Sequence, residues 1–277
     1  MMIPLTSIRA KLIGILAVLG VLPLLAVGYL SYRSATEALQ TQAQEQLGNL
    51  VEKTAQQVDG FIEGAQKAID LVAGFPFIQL AFLQYEFGQR LDTVQKWLAA
   101  YANETPYLSR VYLIDLEGRP ILAVPEETGF PPQNFRPTAW FSATLERKPY
   151  LDEIDPGALE IHMSRLVVDF EDASKPVGVL AFEIKKTAFT DFLTSLRIGA
   201  KGYAFLLRHD GRFIHHPVLD RMADPATYLE AGDDRLRSHM ERMIKGETGH
   251  GQYRIGREEQ FLVYTACRRK PWSIGIT

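Results

Sequence analysis

Apolar positions open the chain as an unbroken run and then settle into a regular seam. From Leu12 to Leu30, 19 residues pass without a charge. At about 1.5 Å per residue, a helix of that length covers roughly 28 Å, close to the hydrocarbon core of a bilayer. Further on, Val51, Ala55, Val58, Ile62, Ala65, Ile69 and Val72 recur at alternating spacings of four and three, which is a heptad seam. Glu45, Glu52, Asp59, Glu63 and Asp70 lie off it. The stretch 31–73 is predicted to be one helix of about 65 Å at the same rise. That is too long for one small domain, so it reads as a stalk leaving a membrane. The seam faces either the chain's own domains or a second subunit, and a homodimer through the stalk is expected.

Gly74-Phe75-Pro76 ends this helix. A second helical pattern is predicted over 78–102. Beyond Pro106 the period shortens to that of strands. Leu108 to Asp115, a turn at Leu116-Glu117-Gly118-Arg119, and Pro120 to Val124 read as a hairpin. A short helix over 138–146, strands over 159–169 and 176–184, and a linking helix over 187–196 follow. The pattern then recurs: strands over 202–208 and 213–215, a helix over 235–245, and strands over 250–255, 260–265 and 272–277. The turns Asp115-Leu116-Glu117-Gly118 and His209-Asp210-Gly211 form a weak internal repeat. The fold class predicted is α+β with antiparallel sheets. The divisions are a cytoplasmic N-terminus (1–11), a transmembrane helix (12–30), a stalk helix (31–75), a membrane-distal domain (76–190) and a membrane-proximal domain (191–277).

Charge and composition narrow the function. Net charge is -3, which leaves no basic footprint for nucleic acid. A single cysteine, Cys267, excludes an internal disulfide framework and any multi-cysteine metal site. Arg9 and Lys11 precede the apolar run, and Arg33 is the only basic residue between it and Lys53. This places the N-terminus in the cytoplasm and 31–277 outside the cell membrane. Ala26-Val27-Gly28 would suit a cleaved signal peptide, but the run exceeds a usual h-region; either way the remainder is exported. The six histidines show no close metal spacing, and no nucleophile, phosphate or dinucleotide motif is present. An enzyme is not expected, nor is a metal or cofactor. His215-His216-Pro217 reads as structural. Arg268-Arg269-Lys270 reads as a solvated hairpin turn, with anionic headgroups as the alternative.

Several segments in this order resemble the double Cache (dCache, PAS-like) extracytoplasmic sensor family. They are Val111-Tyr112-Leu113-Ile114-Asp115 with Gly118, Trp140-Phe141, Tyr150, the run from Ile161 to Val167, the run from Gly178 to Ile184, the run from Gly199 to Phe205, Asp210-Gly211, His216-Pro217 and Pro271 to Gly275. The resemblance implies two tandem PAS-like domains behind a transmembrane and a stalk helix. It also implies the input role of a signal-transduction receptor, such as a histidine kinase of a two-component system or a chemotaxis receptor. The output module is expected outside this chain. The family's ligand site implies Trp140, Phe141 and Tyr150 as pocket walls, with Asp152 nearby. Glu183 stands where the family has Asp, and Tyr112 flanks the same sheet. Position 138 is Thr where the family has Arg, so Arg136 is the substitute candidate. Aromatic walls and a carboxylate suit a cation, so an amine, amino acid or other small metabolite is the expected ligand. The alternative is a ligand-free dimerisation module.

Overall fold

The computed structural model describes residues 8–84, 91–125, 134–147, 150–151, 160–196, 198–199, 201–218 and 232–277. Its internal contacts form two units, Met1–Leu50 and Val51–Thr277. One helix, α1 (Ile8–Ala73), begins in the first and ends in the second. In the first unit its apolar side chains stand exposed, including Leu19, Leu22, Leu24, Leu25 and Leu30. The span expected at 12–30 falls partly on side chains outside the described residues. Among the described residues no single helix is long and apolar enough to cross a membrane. One pair, Leu19–Ala73 with Pro76–Leu83, bent by 57°, meets that test together by length and composition.

In the second unit the heptad seam is buried along its whole length: Val51, Ala55, Val58, Ile62, Ala65, Ile69 and Val72. They are buried within this chain. This decides what the periodicity left open, and a second subunit would have to use other faces of the helix. Gly74 donates back to Asp70 and Leu71, and Pro76 opens α2 (Pro76–Gln84). Proline suits a first helical position because the N–H it lacks has no partner there. The single helix expected over 78–102 is two, α2 and α3 (Leu91–Glu104), with 85–90 outside the described residues.

Among the described residues, the rest is ten strands and three helices: β1 (Leu108–Ile114), β2 (Pro120–Val124), α4 (Ala139–Leu145), β3 (Tyr150–Leu151), β4 (Glu160–Val168), β5 (Pro176–Lys185), α5 (Thr187–Ser195), β6 (Ala204–Arg208), β7 (Phe213–His215), α6 (Asp234–Ile244), β8 (Gly249–Ile255), β9 (Glu258–Ala266) and β10 (Trp272–Ile276). They build two five-stranded antiparallel sheets, ordered β2-β1-β5-β4-β3 and β7-β6-β10-β9-β8. Each order is the other's repeated. The turns repeat as well: Asp115 N–H donates to Arg119 and Gly118 N–H to Asp115, while Arg208 N–H donates to Arg212 and Gly211 N–H to Arg208. Gly118 and Gly211 hold φ of 87° and 84°, a region that glycine enters without steric cost. Asp115 closes its turn by accepting from Arg119 N and Nε, each at 2.7 Å.

α1 packs on both sheets in sequence order. Asp59 accepts the backbone N–H groups of Arg268 and Arg269 at 2.8 and 2.9 Å, and Arg269 pairs with Glu63 at 2.6 Å. Further along, Asp70 pairs with Arg165 of β4 at 3.0 Å. Arg268 and Arg269 are exposed, as expected of a solvated turn, and the turn is also docked on the acidic side of the stalk.

Candidate ligand-binding site

Strand register assembles a polar row on the first sheet. Arg110 and His162 are the cross-strand partners of Glu183 on either side. Two residues on, the row Tyr112, Ala181, Ser164 follows, and Tyr150 of β3 pairs with Ser164. Because alternate residues share a face, these two rows belong to one surface. Helix α4 packs against it, and Thr144 on α4 bonds Ser164 at 2.6 Å.

Trp140 of α4 stacks on His162, with centroids 5.2 Å apart and planes 7° from parallel. Phe135 and Phe141 contact Trp140 at 5.3 and 6.0 Å, and Tyr112 meets Phe135 at 5.2 Å. Arg110 donates to the Tyr112 hydroxyl at 2.9 Å and lies 5.8 Å from its ring centre. Glu183, only 8% exposed, has Oε1 3.4 Å from His162 Nε2 and Oε2 3.9 Å from Arg110 Nη1. That Oε2 finds no hydrogen bond among the described residues. Burial by itself would raise the Glu183 pKa; the hydrogen bond and charge of His162, hydrogen bonding shared with Glu160 and the charge of Arg110 outweigh it and hold the carboxyl below its usual range. Burial raises the Tyr112 phenol, against the opposing pull of Arg110.

Tyr112, Trp140, Phe141 and Glu183 are thus brought together. Tyr150 joins them by register. Arg136 does not: it is exposed, and its N–H donates to Asn134 Oδ1 at 2.8 Å. Thr138 donates to Phe135 O at 2.7 Å at the start of α4. Asp152 lies outside the described residues. Sequence reasoning missed Arg110 and His162. Their signal was a charged or polar residue at an alternate strand position, and only the register makes them neighbours of Glu183.

The second sheet shows what is specific to the first. With the turns aligned, the places of Arg110, Glu183 and His162 fall to Tyr203, Thr277 and Leu262; Tyr203 and Thr277 exchange both backbone hydrogen bonds at 3.0 Å. Thr277 Oγ1 is satisfied by Tyr253 and Gln260. Phe205, Leu207, Phe213, Met240 and Tyr264 fill that surface as core.

The sequence profile of the Cache domain, in its double (dCache) form, matches residues 35–277. The chain belongs to the Cache-domain family. This Cache region is 20% identical over 273 residues, 98% of the chain, to the methyl-accepting chemotaxis protein McpB of Bacillus subtilis, of which it covers 39%. The chain therefore spans about two fifths of the length of the curated relatives it matches. In fold it is similar to the ligand-binding domain of the Pseudomonas aeruginosa amino-acid chemoreceptor PctC in complex with GABA (TM-score 0.61, 21% identity, 84% of this chain and 97% of that one). It is also similar to an extracellular domain assigned to a histidine kinase, rpHK1S-Z16 (TM-score 0.61, 18% identity, 86% and 94%). Cache domains of this type are sensor regions of receptors, not catalytic domains.

Proposed function

We propose that this chain is the extracytoplasmic small-molecule sensing region of a transmembrane receptor of chemoreceptor or histidine-kinase type. The first sheet, over 76–190, is the membrane-distal ligand domain, and 191–277 is the proximal one. The order of contacts along α1, with Asp59 and Glu63 on the second sheet and Asp70 on the first, supports that assignment. The exposed apolar side chains of Leu12, Leu16, Leu19, Leu22, Leu25 and Leu30 support a single-pass anchor. Because the seam is spent inside the chain, contact between two stalks falls to 31–50, where Leu39 is exposed.

The observation that carries the reading is Glu183. A buried carboxylate with an oxygen free of hydrogen bonds is costly, and the equivalent place in the second sheet carries none. Set among Tyr112, Trp140 and His162, it suits the ammonium of an amine or amino acid. Thr138 removes the family's fork for an α-carboxylate, which favours amines over α-amino acids. Signalling then needs only that ligand binds two arrangements of the stalk and sheet with different affinity.

Titration calorimetry of the full chain in nanodiscs against amines and amino acids tests this. Saturable binding of an amine, lost in Glu183→Gln, supports it. The complete burial of Phe141 favours the rival, a ligand-free dimerisation module. An oligomer unaffected by the whole panel would replace the sensor reading with that one.

A further inference from the structure

A second concavity lies away from the Glu183 row, where the end of α1 meets α2, the end of α4 and the outer edge of β4. It is an open pocket of about 280 Å³ lined by Asp70, Gln79, Thr144, Arg147, Arg165 and Leu166, among others. Among the described residues, β4 pairs on this side only with β3, at Met163 and Ser164, and the pocket lies along that edge. Its charges do not cancel. Arg165 is paired with Asp70 at 3.0 Å, and Arg147 donates to the neutral carbonyl of Ser174. Among the described lining residues, two guanidiniums against one carboxylate leave a formal charge of +1; the Asp172 carboxyl, outside the lining, feels the charge of Arg147.

Gln79 gives independent cause to expect a ligand. It is 93% buried by its 7% exposure, its Nε2 reaches Ala73 O only at 3.5 Å, and its Oε1 has no hydrogen-bond partner among the described residues. An unmet buried acceptor is costly and awaits a donor. Arg147 points the same way. It holds φ 61° immediately after α4, at a position where glycine would be free of strain. An arginine kept there places a guanidinium at the pocket that glycine would not.

We propose that this pocket is a second ligand site, for a small hydroxycarboxylate. The carboxylate is matched by Arg147 and Arg165, and the hydroxyl donates to Gln79 Oε1. A zwitterionic amino acid would leave the positive charge unbalanced, whereas a monoanion closes it. An occupant would touch α1, α2, α4 and β4 at once, and so tie the end of the stalk to the sheet independently of the Glu183 row.

The probe is glycerate, with propionate (carboxylate only) and glycerol (hydroxyls only) as controls, titrated calorimetrically into the full chain in nanodiscs. Arg147→Gly relieves the positive φ, so the fold is kept while the guanidinium goes; Arg165→Met keeps the side chain's apolar stem. Expected are saturable glycerate binding, at least tenfold weaker in R147G and in R165M, unchanged in E183Q, and at least tenfold weaker for both controls. Absence of saturable glycerate binding overturns the proposal. So does wild-type affinity in R147G and R165M, equal binding of either control, or loss of binding in E183Q. The amine titration with E183Q reads the first site separately, so failure of one site leaves the other standing.

Discussion

Arg110 Nη1 lies 3.9 Å from Glu183 Oε2 across the β1–β5 ladder, while the same two places in the second sheet are held by Tyr203 and Thr277. One architecture has been built twice and charged once. Desolvating a carboxylate costs several kcal/mol unless its partners compensate; here the charges of His162 and Arg110 do so, while Oε2 is left without a hydrogen bond among the described residues. At the matching place in the second sheet, Thr277, Tyr253 and Gln260 satisfy one another without a charge.

Glu183→Gln removes the charge and keeps the shape. Amine binding is expected to fall at least tenfold, about 1.4 kcal/mol, in a calorimetric titration. Stability gives a second readout. A carboxyl with a depressed folded pKa contributes stability above its unfolded value, about 4.3. That contribution is lost as pH falls through the folded value. Urea midpoints of the wild type should therefore drop more steeply below about pH 4 than those of E183Q. Parallel curves would show that the carboxyl is not held ionised.

Gly178 on β5 lies under Phe82 of α2, where an added Cβ would come within 2.2 Å of the ring. Phe82 is buried, so its ring would have to shift against packed neighbours. Gly178→Ala should destabilise by about 1–3 kcal/mol through overpacking. Combining it with Phe82→Leu should return part of the loss, a non-additivity that chemical denaturation of the four forms would detect. Simple additivity would mean that the ring is not the obstacle.

Much of this fold was legible because its signals are local. The seam from Val51 to Val72 and the paired turns at Gly118 and Gly211 follow from spacing and from backbone conformations that glycine enters freely. The partners were not legible. That Glu183 sits between Arg110 and His162 depends on β5 pairing with β1, which is not its neighbour in the chain, and on the exact register of the β4–β5 pair. That Arg268 and Arg269 cap Asp59 depends on a contact spanning 209 and 210 residues. Strand β3 is too short to have a period. Of the site, Trp140, Phe141, Tyr112 and Glu183 could be named from residue type and order, while their electrostatic partners required the register.

Asp59 is the latch between the stalk and the second sheet. Asp59→Ala removes two charge-assisted acceptors from the Arg268–Arg269 turn; water replaces them in part, so a loss of about 1–2 kcal/mol is expected. Hydrogen exchange at the 268 and 269 amides should accelerate while the core amides of β10 change little. Unchanged exchange at those two amides would mean that the turn is held by its own geometry and not by the helix.

His216 is fully buried, with Tyr203, Phe213 and Phe205 around its ring at 4.9, 5.0 and 5.4 Å. Burial, assisted by the charge of neighbouring His215, pushes its pKa down to about 3. Its Nδ1 accepts the Val218 N–H at 3.3 Å, a role only the neutral ring can fill. Since the unfolded side chain titrates near 6.5, the unfolded state binds the extra proton first. Stability is then whole above about pH 6.5 and declines towards pH 3, by up to about 1.4 kcal/mol per pH unit. Urea denaturation between about pH 7 and pH 5 should show that slope in the wild type. His216→Phe, which keeps the aromatic packing, should flatten it. An equal slope in both would assign the acid sensitivity to other groups and leave His216 as packing alone.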